Sequence, residues 1–176
     1  MKCYDCGGTT TVRSGEIYHY TESGLSNVYL ENVEMIVCES CGVSTPRLRR
    51  VETLHAAIGR AIALQPVALS GEEVRFLRKQ LGLKAREWAV LLRVDTATLS
   101  RWENDEQQIG PQSDSLIRLL YFRILEEKEG AFIVDRIAER IASVAHERNG
   151  EPAIVLNMDN PVVYTYYPTG FALQTH

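Results

Sequence analysis

Hydrophobic spacing along this chain changes character three times. Over the first 37 residues the apolar positions come in short runs rich in Thr, Val, Ile and Tyr, which is strand composition. Residues 9–13 and 16–21, parted by Ser14-Gly15, predict a β-hairpin. After a turn at Ser23-Gly24, residues 28–30 and 33–37 predict further strands. From residue 47 the period becomes helical: Leu48, Val51, Leu54, Ala57, Ile58, Ala61 and Ile62 follow i, i+3, i+4 spacing over 47–64. Gln65-Pro66 stops that helix, because proline pushes the residue before it out of the helical region. Residues 67–70 then read as a short linker that would let the two sides move independently.

Beyond the linker the period stays helical. Ser70, with Glu73 three residues on, predicts a capping box. Val74, Phe76, Leu77 and Leu81 form the apolar face of the helix it opens, and Gly82 closes it. Residues 85–92 predict a second helix with Trp88, Ala89, Leu91 and Leu92 as core candidates. A tight turn at Arg93-Val94-Asp95 leads to a third, over 96–104, with Leu99 and Trp102 facing inward. Ile109-Gly110-Pro111 reads as a break. A longer helix from Ser113 or Asp114 then carries Leu116, Ile117, Leu119, Leu120, Ile124 and Leu125 as far as Gly130. Phe132, Ile133, Ile137, Ile141 and Val144 make another helical stripe. Residues 153–157 and 162–167 predict two closing strands around Asp159-Asn160-Pro161.

Composition narrows this little. A length of 176 residues suits one ordinary domain or two small ones, and 45% hydrophobic with 24% charged residues fits a folded soluble chain. No apolar run approaches a membrane span. The net charge of -4 argues against a nonspecific nucleic-acid coat, but the charge is uneven. Residues 71–104 hold 7 basic and 5 acidic residues, whereas residues 105–176 hold 6 basic and 11 acidic. Positive charge therefore gathers in the segment of short helices.

The cysteines change the picture most. All four lie in two Cys-x-x-Cys pairs, Cys3/Cys6 and Cys38/Cys41, each followed by glycine (Gly7, Gly42). Each pair can aim two thiolates at one ion, and two pairs complete the tetrahedral sulfur shell that Zn²⁺ takes at roughly 2.3 Å per bond. One structural Zn²⁺ per chain is the expectation. Disulfides, a redox pair and an iron or iron–sulfur site are the alternatives. The chain starts Met-Lys-Cys without an apolar leader, so a cytoplasmic protein is expected, where disulfides are rare. Four thiolates leave no open metal position for water, and no nucleophile–base pair, Walker loop or dinucleotide fingerprint occurs, so no enzyme is expected. His19 is at most a substitute ligand. His55, His146 and His176 are scattered, Glu126, Glu127 and Glu129 read as a solvated helix end, and Tyr164, Tyr166 and Tyr167 as sheet packing.

The second and third short helices suggest DNA. The outward face of the third is small and polar, with Thr96, Ala97, Thr98, Ser100 and Arg101. Short side chains allow close approach to a major groove, and arginine supplies a fork suited to guanine O6 and N7. Lys84 and Arg86, at the start of the second helix, lie where phosphate contacts fall. A plain helical bundle with a basic surface is the competing reading.

Residues 74–120 resemble the Xre/Cro helix-turn-helix family, through Leu81-Gly82-Leu83, Ala89, the run Leu99-Ser100-Arg101-Trp102-Glu103-Asn104, Pro111, Leu116 and Leu119-Leu120. The resemblance implies a five-helix DNA-binding bundle, usually dimeric. Lys84-Ala85 departs from the Thr or Ser cap and Gln common there. The whole of about residues 1–125 resembles YgiT-type zinc finger proteins, whose best-known branch is the MqsA antitoxins. That branch implies a zinc domain that neutralises a small ribonuclease toxin, and a dimeric helix-turn-helix domain that represses the operon. Arg101 falls on its base-reading arginine, and Ala97 on a base-reading asparagine, so a different operator sequence is implied.

The expected architecture is therefore α+β, in four segments: a zinc-ribbon-like β domain (1–46), a linking helix and linker (47–69), an Xre-type all-α helix-turn-helix domain (70–128), and a C-terminal extension (129–176) with an extra helix and strands, a candidate for dimerisation. The expected function is a sequence-specific repressor acting on double-stranded operator DNA as a homodimer. Its narrower form is an antitoxin for a small basic toxin. The alternative is a protein–protein adaptor that does not touch DNA.

Overall fold

The computed structural model describes residues 1–130, 137–145, 148, 150–161 and 163–168. Its order is β1 (Thr10–His19), β2 (Val28–Cys38), β3 (Ser44–Pro46), α1 (Val51–Leu64), α2 (Gly71–Gln80), α3 (Ala85–Leu91), α4 (Thr96–Glu103), α5 (Pro111–Glu129), α6 (Ile137–Ala142), β4 (Ala153–Asn157) and β5 (Tyr164–Tyr167). This is the expected α+β fold. Among the described residues no helix is long and apolar enough to cross a membrane.

The sheet differs from the expected small module. Its order is β1-β2-β4-β5, with β3 also on β2. One end of β2 pairs antiparallel with β3 (Met35 to Pro46), and the other pairs in parallel with β4 (Val28 to Ile154, Glu31 to Asn157). The two closing strands thus belong to the N-terminal sheet. Ser14-Gly15 is not a hairpin turn. β1 runs through it as one strand, with Gly15 at φ 83° where the register slips between Arg13 and Glu16. An isolated glycine in a strand marks a bulge as readily as a turn. Likewise residues 28–30 and 33–37 are one strand, bent at Asn32 (φ 59°).

The helices lie close to their expected places. Ser70 and Glu73 form the capping box, and Arg93 (φ 58°) makes the turn between α3 and α4. Two details change. Pro111 opens α5 instead of breaking the chain before it, because the missing N–H and fixed φ of proline suit the first helical turn. Leu91 and Leu119, expected in the core, are 44% and 41% exposed. Phe132, Ile133, His146, Asn149, Val162 and His176 lie outside the described residues.

One buried cluster runs from Val28, Leu30 and Val33 of the sheet, with Ile154 and Leu156 of β4, through Ile58 and Ile62 of α1 to Leu77, Trp88, Leu99 and Ile117 of the other helices. The segment expected to be a free linker is tied to this core, with Leu69 buried in it. Gln65 is fully buried. Arg118 on α5, also fully buried, donates to the carbonyls of Ala63 (3.1 Å), Gln65 (2.9 Å) and Val67 (2.6 Å) and to Asp114 Oδ1 (2.6 Å). Asp114 Oδ2 in turn accepts from the Leu69 amide at 2.7 Å. On the other side Arg148 donates to the buried Glu73 (2.8 Å) and to the Ala68 carbonyl (2.5 Å). The Ala145 amide meets the Pro66 carbonyl at 2.9 Å, and Tyr166 donates its hydroxyl to the Ala61 carbonyl at 2.6 Å. Buried carbonyls at a helix end need donors, and here α5 and the C-terminal extension provide them.

Arg118→Met strips those carbonyls of donors and leaves Asp114 buried without its cation. Urea unfolding of the full-length variant should show a loss of roughly 3–5 kcal/mol. Amide exchange at residues 65–69 should quicken. A loss below about 1 kcal/mol, the range of an exposed ion pair, would remove Arg118 as the anchor of this joint.

Candidate metal centre and candidate nucleic-acid interface

The four cysteines meet at the end of the β1–β2 ribbon farther from the β2–β4 pairing. Cys3 and Cys6 lie in the loop before β1, Cys38 ends β2, and Cys41 lies in the turn to β3. The two loops share one hydrogen-bond pattern. Cys3 donates its amide to the Gly8 carbonyl (2.8 Å), and Gly7 donates to the Cys3 carbonyl (3.0 Å). Cys38 donates to the Val43 carbonyl (2.9 Å), and Gly42 donates to the Cys38 carbonyl (3.0 Å). Gly7 and Gly42 take φ 72° and 74°, values that glycine adopts without a Cβ penalty. A bond from the Glu39 amide to the Thr9 carbonyl (3.1 Å) ties the two loops together.

This pairing sets the sulfurs in a compact group. Cys3 and Cys41 Sγ are 3.7 Å apart, Cys6 and Cys38 Sγ are 3.5 Å apart, and all four lie within 4.8 Å of one another. A tetrahedron with metal–sulfur bonds of 2.3 Å has edges of about 3.8 Å. A disulfide needs about 2.05 Å. Neither pair sits at a strand-to-helix junction, where a redox pair would stand. Protonation tells the same story. Amides of Cys41 and Ser40 draw the Cys38 thiol down to about 6. At Cys41 the amide of Val43 acts in that direction too, but the crowding thiols of Cys6, Cys38 and Cys3 outweigh it and push Cys41 up to about 12. Four sulfurs this close cannot all be thiolates without a cation among them. The cluster can therefore hold a metal ion. His19 is not part of it: its ring stacks on Tyr29 at 4.5 Å, and Nε2 meets the Ser26 carbonyl.

The second group of residues lies on α3 and α4. Trp88 and Ala89 of α3 and Leu99, Trp102 and Glu103 of α4 face the core. Thr96, Ala97, Ser100 and Arg101 are exposed, Thr98 is half-buried, and Lys84 and Arg86 are exposed at the start of α3. Asp95 caps α4, accepting from the Thr98 amide and hydroxyl at 2.8 Å each, and these bonds hold its carboxyl below the ordinary carboxylate range. Lys84 lacks a capping oxygen, and the Glu87 carboxylate takes its amide at 2.7 Å instead. Glu103 anchors α4 to α2 through Arg78, at 2.6 and 2.8 Å. Arg75 binds the Glu103 carbonyl and, at 2.7 Å, Asn104 Oδ1.

Sequence reasoning missed one residue here. Gln107, beyond the end of α4, accepts from Arg101 Nε at 3.1 Å. The tight turn at Asp105 (φ 55°) returns the chain to the helix, and polarity along the sequence gives no sign of it.

No curated protein matches the chain. A family model described as the antitoxin component of a bacterial toxin–antitoxin system, MqsA, matches residues 1–129, which include the four cysteines and helices α1 to α5. The chain belongs to the MqsA antitoxin family.

Proposed function

We propose that this protein is the antitoxin of a small basic toxin and that it represses its own operon, binding operator DNA as a homodimer in the cytoplasm. In this reading the chain divides as its sequence suggests. Residues 1–46 carry one structural Zn²⁺ on Cys3, Cys6, Cys38 and Cys41 and offer the toxin surface. Residues 70–128 form the DNA-binding unit, and the extension after residue 129 supports dimerisation. No catalytic activity is assigned.

The family match supports the antitoxin role. The observation that carries the DNA role is α4, whose two large apolar side chains are buried while its short polar ones and Arg101 share the exposed face. Such a helix can lie in a major groove, with Arg101 on a guanine and Thr96, Ala97, Thr98 and Ser100 close to base edges or phosphate. Lys84 and Arg86 would position the module on phosphates.

A duplex from the protein's own upstream region tests this reading by gel shift across a salt series. Arg101→Ala should abolish sequence preference while fold and metal content stay unchanged. Lys84→Ala should weaken all duplexes alike and lower the salt slope by about one. No binding by the unaltered protein would leave the adaptor reading instead. Affinity capture from the native host in high salt should retain one small basic protein at near-equal stoichiometry.

Elemental analysis should find one Zn²⁺ per chain. Val28, Leu30 and Val33 are fully buried and Val28–Glu31 of β2 are paired with β4, so this end of the sheet has support that owes nothing to a metal. Chelation should therefore free the tip, residues 1–13 and 35–45, to exchange its amides, while β4 stays protected. Loss of β4 protection would show that the metal supports the sheet throughout.

A further inference from the structure

Arg101 is held on one edge. Its Nε donates to Gln107 Oε1 at 3.1 Å and its Nη2 to Thr98 Oγ1 at 2.9 Å. We propose that Gln107 and Thr98 are positioning residues that set the pose in which Arg101 reads guanine. This rests on the DNA reading above.

A guanidinium offers two pairs of parallel donors, Nε with Nη2 along its side and Nη1 with Nη2 at its end. Here protein oxygens occupy the side pair. The end pair remains for the O6 and N7 of a guanine. Both holding groups are themselves fixed. Thr98 gives its hydroxyl hydrogen to Asp95 Oδ2 at 2.8 Å, which leaves its lone pairs to accept from Arg101.

Gln107 stands on a tied turn. The amides of Glu106 and Gln107 donate to the Arg101 carbonyl at 2.9 and 3.3 Å. Asp105 Oδ1 accepts from the Gly71 amide at 2.7 Å, joining the turn to the start of α2. The approach is so close that a Cβ on Gly71 would collide with the Trp102 carbonyl and the Asp105 carboxylate. Side-chain freedom that is lost before binding does not oppose binding. An arginine released from Gln107 keeps its charge but can turn to phosphate, which binds without sequence information.

The test is binding and sequencing of a randomised duplex library with the full-length, zinc-loaded protein. Arg101→Ala identifies the base pair that Arg101 reads, as the position whose guanine preference it flattens. Gln107→Leu should cut guanine preference there by about tenfold, with the thermal midpoint unchanged. Gln107→Glu, which keeps the acceptor oxygen, should restore most of it. Wild-type preference in Gln107→Leu overturns the proposal. So does a change confined to another base pair, which would make Gln107 a base contact. A flat profile from the unaltered protein overturns the DNA reading itself, and this proposal with it.

Discussion

A guanidinium buried in the seam between sheet and helices organises this molecule. Arg118 has no exposure to water, and a cation in that position is tolerable only when every donor finds an oxygen. Nη1 and Nη2 take carbonyls of the α1 end and the segment after it, and Nε takes Asp114. Those carbonyls are the ones that a helix end and a proline-containing connection cannot satisfy internally. Cation and chain therefore specify each other. The path of residues 62–67 is fixed by α5, and through α1 it fixes how the sheet meets the helical part.

The C-terminal extension closes the same joint from the opposite side. Glu73 caps α2, accepts from Gln65 at 2.8 Å and holds Arg148, so one buried carboxylate links α2, the connection and the extension. Asn27 extends this contact, with Nδ2 on the Pro152 carbonyl and its own carbonyl on the Ile154 amide. The family match ends at residue 129. β4, which follows it, covers the edge of Val28–Glu31 opposite β1, which residues 1–129 leave open in this fold. An open edge invites pairing with other chains, and here the chain supplies its own strand.

What could be read from the sequence was local. The capping box at Ser70 and Glu73, the turn at Arg93, the burial of Leu99 and Trp102 and the two cysteine loops each declare themselves within a few residues. Ser14-Gly15 failed as a guide because a strand bulge and a hairpin turn ask the same of glycine. The parallel pairing of Val28 with Ile154 left no trace, since parallel register has no turn to announce it. Nothing close to Arg118 in the chain announces its burial, because its partners are backbone carbonyls more than fifty positions away. Gln107 stayed hidden for a similar reason: only the turn at Asp105 brings it to Arg101.

The two halves of β2 are stabilised by different physics. Toward Val28 the strand is flanked by β1 and β4 and buries Val28, Leu30 and Val33 in the common core. Toward Cys38 its neighbours are β1, exposed over residues 11–15, and the three-residue β3. Little apolar area is removed from water there, so burial contributes little. The sulfur cluster sits at that end, where a metal would cross-link the loops before β1 and after β2. The same eleven-residue strand reaches from the cluster to the core and to β4. A load on the cysteine end can therefore pass along one strand to the core that the sheet shares with α1 and α5, and to the Arg118 joint.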